Sequence, residues 1–111
     1  MALKYTRLTN LEVTGAMIGP KASAVSTGVN HTLTEAEKGS YFLTVEATAA
    51  SKTLTLGLAE KQAMMIANVG ASNAVTVKNV SGDTGTSLAA GKVALVVASE
   101  TADATKVYVL N

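Results

Sequence analysis

The chain has no cysteine and no tryptophan, and only one phenylalanine, one proline and one histidine among its 111 residues. Without cysteine there are no disulfide staples, no thiolate metal ligands and no thiol nucleophile. One histidine, His31, is too few for a multi-histidine metal centre. Charge is also scarce: charged residues make up 15% and the formal net charge is +1. Phosphate neutralisation needs clustered Lys and Arg, so the composition argues against a nucleic-acid partner. No apolar run approaches the ~20 residues that span a bilayer. The opening MALKYTRLTNLEV has no apolar stretch long enough for a signal-peptide core. The expectation is a soluble product of the cytoplasm, with no membrane partner and no cofactor.

What remains is aliphatic. Hydrophobic residues are 48% of the chain but aromatics only 4%, so most of the apolar content is Ala, Val and Leu. Alanine removes little area from water. The length suits one domain, and its core is expected to be thin. A thin core under a weakly charged surface points to apolar area covered by another chain.

Short Val/Thr/Leu segments alternate with Gly, Ser, Asn and Asp clusters along most of the sequence. The clearest instance is QAMMIANVGASNAVTVKNV (62–80), which reads as two strands of a hairpin around VGASN (69–73). On its first strand Met64 and Met65 point to opposite faces, one into the core and the other toward a neighbouring subunit. In KTLTL (52–56) Leu54 and Leu56 face inward and Thr53 and Thr55 outward. Tyr41, Leu43 and Val45 are expected to share one strand face. VALVVA (93–98) is a continuous apolar strand of the kind covered on both sides, and KVYVL (106–110) closes the chain. Thr34 and Glu37 fit a capping box that opens one helical turn over 35–38, with Gly39 in positive φ ending it. KASAVSTGVN (21–30) has the composition of a loop or irregular edge, and 87–92 reads as a connection.

The predicted fold is all-β: a compact antiparallel β-barrel or jelly-roll-like sandwich of about eight strands with one short helical turn. Residues 1–20 form an extended N-terminal arm or a loosely attached first strand, and 21–111 a single β-domain. Pro20 marks the break, because it lacks a backbone donor.

Catalytic patterns are missing from the sequence. His31 has no evident Ser or Asp partner, and there is no G-x-S-x-G elbow, P-loop or G-x-G-x-x-G. Glu35 and Glu37 point apart on a helical turn, so they nominate no carboxylate pair. SGDTG (81–85) lacks the ligand series of a calcium loop and reads as a turn organised by Asp83. Asn30 and Asn79 match the glycosylation sequon, a pattern common by chance. The expectation is no enzyme, no catalytic residue and no metal.

From His31 onward the chain resembles a module of tailed-bacteriophage structural proteins. The resemblance rests on TLTEAEKGSYF (32–42), KTLTLGL (52–58), MIANVGASNAVTVKNVSGDTG (65–85), LAAGKVALVV (88–97) and KVYVL (106–110). These look like the small β-domains of capsid decoration, or cement, proteins and of head-fibre bases. The resemblance implies a homotrimer on the outside of an icosahedral head, holding neighbouring major capsid subunits together. Its partners would be the major capsid protein and itself, and its location the virion exterior. The mildly basic arm residues Leu3, Lys4, Tyr5, Arg7 and Leu8 are the candidate contacts to the capsid or an adjacent subunit. The alternative is a fibre or spike module binding host-surface carbohydrate, which needs exposed aromatic faces.

Overall fold

The computed structural model describes residues 22–110. Alternation of buried and exposed residues sets the architecture, because period-two patterning turns every second side chain to one face. Strand β1 is Ala22–Thr27, and β2 is His31–Thr32. The helical turn α1, Glu35–Lys38, follows, then β3, Phe42–Ala47, and β4, Lys52–Thr55. After these come β5, Ala63–Asn68, and β6, Val75–Lys78. The chain ends with β7, Thr86–Leu88, β8, Val93–Val97, and β9, Lys106–Val109.

The strands form two sheets, one ordered β9-β8-β5-β3-β1 and the other β2-β4-β6-β7. The first six strands alternate between the sheets. The chain therefore winds as three coils of a flattened helix, and strands one coil apart run parallel. Ala22 pairs with Phe42 and Phe42 with Met65, coil steps of 20 and 23 residues. In the other sheet His31 pairs with Leu54 and Lys52 with Val75, both steps of 23. Antiparallel strands finish the molecule: β7 on β6, β8 on β5 and β9 on β8.

This all-β, two-sheet arrangement corrects several expectations. The described sheets are mixed rather than antiparallel, and each is open, so no barrel closes. The segments around 69–73 are not a hairpin, since β5 and β6 lie in different sheets. Asn68 explains the difference. Its Oδ1 accepts from the Gly70 amide at 3.0 Å, and its Nδ2 donates to the Asn73 and Leu88 carbonyls at 2.9 Å each. These bonds fix a corner that carries the chain across the sandwich instead of a tight reversal. Among the described residues, 22–27 form a regular edge strand, where small polar residues suit one solvated side. The connection expected at 87–92 begins within β7.

Leu43, Val45, Leu54, Leu56, Met64, Ile66, Val75, Val77, Leu88, Ala94 and Val96 fill the space between the sheets. No described aromatic residue is in that core. Tyr41 precedes β3 and is 66% exposed instead of sharing the core face with Leu43 and Val45. The capping box of α1 forms as expected. Gly39, however, has φ −80°: its amide bonds back to the Ala36 carbonyl and the Ser40 amide to the Glu37 carbonyl, which ends the turn without a left-handed residue. No helix among the described residues is long and apolar enough to cross a membrane.

Candidate functional site

The two outer faces of the sandwich differ in chemistry. On the four-stranded sheet the register sets Thr32 beside Thr55 and Thr55 beside Lys78. Thr53 lies beside Thr76, and Thr76 beside Ser87. That face is hydroxyl-rich throughout.

The outer face of the five-stranded sheet is apolar. One register row runs Tyr108, Leu95, Met65, Phe42 and Ala22 across all five strands. Tyr108 is 53% exposed and Met65 37%, while Phe42 and Leu95 are half-buried by their lateral neighbours. The adjacent row carries Val93, Ala67, Thr44 and Ala24, with exposed Leu110 held to Val93 by a 2.8 Å backbone bond. Met64 and Met65 divide as expected, the first in the core and the second outside. Among the described residues, the run 93–98 is covered on one side only. Ala94, Val96 and Ala98 are core, whereas Val93, Leu95 and Val97 lie on the outer face. Among the described strand residues, charge stands only at two opposite corners of this face. Exposed Glu46 lies at the end of β3, and exposed Lys106 at the start of β9.

Two polar clusters lie elsewhere. His31 Nε2 and Glu37 Oε1 are 2.9 Å apart, with side chains 27% and 19% exposed. The same Oε1 accepts from the Thr34 amide at 2.9 Å. The expected surface histidine thus ties β2 to the capping box of α1. No hydroxyl among the described residues hydrogen-bonds this histidine, so it activates no described nucleophile.

At the other end of the four-stranded sheet lies a pocket of about 100 Å³, lined by Lys78, Asp83, Thr84, Thr86, Asp103 and Thr105 among others. Its carboxylates are occupied. Asp83 Oδ2 accepts from the Asn79 and Val80 amides at 2.9 and 3.1 Å, and Oδ1 from the Asp103 amide at 2.6 Å. Asp103 Oδ1 in turn accepts from the Thr84 amide at 2.6 Å. Gly85 completes the turn at φ +86°, where a Cβ would come within 2.6 Å of Thr76 Cγ2. The sequence 81–85 is therefore a loop lock. Among the described residues no group of three or more His, Asp or Glu side chains converges to hold a metal.

Both clusters shape the acid limit of the fold. Burial pushes the Glu37 carboxyl up, but hydrogen bonds from His31 and Thr34 outweigh it and hold the group below its ordinary range. Burial likewise raises Asp83, and the amides of Asp103, Val80 and Asn79, with Lys78 nearby, bring it down further than burial lifts it. A carboxyl depressed in the folded state adds stability that is complete above its unfolded pKa of about 4 and is lost as pH falls through the folded value. The urea midpoint should be flat from neutrality to about pH 5 and fall below about pH 4. Asp83→Asn should flatten that fall.

The candidate contacts Leu3, Lys4, Tyr5, Arg7 and Leu8 lie outside the described residues. The residues that sequence reasoning missed are Phe42, Leu95 and Tyr108 on the outer face. Their signal was present in 93–97, an apolar run with too little polar alternation for a strand wetted on one side. Comparison with family models, with curated proteins and with solved structures finds no match.

Proposed function

We propose that the chain is a capsid decoration, or cement, subunit. It assembles as a homotrimer on the outside of an icosahedral phage head and holds neighbouring major capsid subunits together. The observation that supports this reading is the outer face of the five-stranded sheet. A row of apolar side chains crosses every strand of that sheet, and surfaces of this kind mark contacts with other chains. The work is adhesion: two open sheets clamp an aliphatic core, and the surfaces outside that core meet partners. In this reading the segment holding Leu3, Lys4, Tyr5, Arg7 and Leu8 reaches the capsid lattice, adding main-chain hydrogen bonds at a sheet edge.

The test is co-sedimentation of the full chain with mature heads of the phage that carries its gene. Saturable binding is expected, and deletion of residues 2–18 should abolish it while far-ultraviolet circular dichroism stays that of a β-protein. Full occupancy by the truncated chain would overturn the arm assignment. A second reading, a fibre or spike module for host-surface carbohydrate, is favoured by the exposure of Tyr41 and Tyr108. Glycan-array binding without affinity for heads would put it first.

A further inference from the structure

We propose that the outer face of the five-stranded sheet is where copies of this chain meet one another, with Lys106 of one copy set against Glu46 of the next. The inference rests on the self-assembly in the reading above and names the surface that performs it.

The argument begins with the contrast between the faces. One outer face is threonine, serine and lysine, and water solvates it well. The other presents Tyr108, Leu95, Met65 and Phe42 in one row, with Leu110 and Val93 beside them. Only this second face gains much from leaving water.

The placement of charge selects the occupant. Lys106 stands on edge strand β9, and Glu46 on β3, three strands away in the order β9-β8-β5-β3. The residues facing outward between them are apolar or small. Along the strands the two lie at opposite ends, since Lys106 pairs with Val97 and Val97 with Ala63, whereas Glu46 lies beyond Val45, the partner of Asn68. Neither forms an ion pair with a described residue. The face thus carries a cation at one corner, an anion at the opposite corner and apolar side chains between. A surface of that pattern complements a copy of itself. Laying one copy's face on another's, with each Lys106 against the other's Glu46, pairs both charges and covers the apolar row. A partner carrying one sign of charge would satisfy one corner and oppose the other.

Sedimentation equilibrium and light scattering on the full chain test the proposal. A native mass of more than one copy is expected at micromolar concentration. Glu46→Lys alone and Lys106→Glu alone should each weaken association about tenfold or more, because each sets like charges together. The double reversal Glu46→Lys/Lys106→Glu should restore association to near the parental value, and 0.5 M NaCl should shrink all three effects. Met65→Glu should yield a folded monomer whose melting temperature no longer depends on concentration.

A one-copy mass at 100 micromolar would overturn the proposal. So would a double reversal as weak as the single variants, or a Met65→Glu chain that still assembles. A monomeric parent whose 2–18 deletion associates would assign the face to the chain's own N-terminal segment instead. Monomers that bind heads would sink this inference, and the self-assembly in the capsid reading with it, and spare head binding. Assemblies that ignore heads would do the reverse.

Discussion

Replacing Asn79 with alanine is expected to cost about 3–5 kcal/mol, the sum of several buried polar groups left unpaired. Asn79 is fully buried at the end of β6. Its Oδ1 accepts from the Leu58 amide at 2.8 Å, and its Nδ2 donates to the carbonyls of Leu58 and Ser99 at 3.1 and 2.9 Å. Alanine satisfies none of the three, and Leu58 and Ser99 are themselves buried. A domain of this size loses about 4–8 °C of Tm per kcal/mol, so the midpoint should drop by roughly 12–40 °C. Asn79→Asp should be no milder near neutral pH, because a carboxylate offers no donor to the two carbonyls. Asn73→Ala is the control. It removes one half-buried bond, Nδ2 to the Ala47 carbonyl at 2.9 Å, and should cost about 1 kcal/mol. Equal losses at Asn73 and Asn79 in a thermal melt would refute the assignment of Asn79 as the buried tie between Leu58 and Ser99.

Ile66→Ala should be comparably severe, at about 3–5 kcal/mol. Ile66 is fully buried on β5, the central strand of its sheet. It pairs with Leu43 on one side and Ala94 on the other. Ala94 is too small to close the space, and β5 is hydrogen-bonded along both edges, so the cavity should persist. No described aromatic side chain is at hand in the core to swing into it. Folded domains keep only about 5–15 kcal/mol in hand, and one such loss takes a large share of it. Met65→Ala, one residue away, should change the stability of an isolated chain by less than about 1 kcal/mol, because its side chain leaves an exposed face. If urea titration gives Ile66→Ala and Met65→Ala the same penalty, the inward and outward assignment of β5 is wrong.

That pair of neighbours also marks where the sequence was legible. Alternation in 52–56 and 62–68 placed Leu54, Leu56 and one methionine of the Met64/Met65 pair inside, since the pleat obliges it. The capping box at Thr34 and Glu37 was readable because it is a contact between residues three apart. Strand partners were not readable in the same way. A parallel pair joins residues about a coil apart, and the 20- and 23-residue steps are unequal, with few side chains repeated between coils. The segments at 62–68 and 75–78 therefore resembled neighbours. Only the long-range bonds of Asn68, to the Leu88 carbonyl above all, reveal that the chain crosses to the opposite sheet. The outer face was half legible. Its strands could be found, but which apolar residues stay uncovered depends on how many layers the fold has. The His31–Glu37 bond spans six residues and a strand-to-helix turn, beyond any local rule.

The threonine ladder on the four-stranded sheet has its own consequence. If copies meet through the apolar face as proposed, the face left to water presents Thr32, Thr53, Thr55, Thr76, Lys78 and Ser87. An assembly wearing such a coat would be wetted evenly, with Lys78 the one charge in those rows. It should stay dispersed at high salt and offer passing proteins and lipids nothing to stick to.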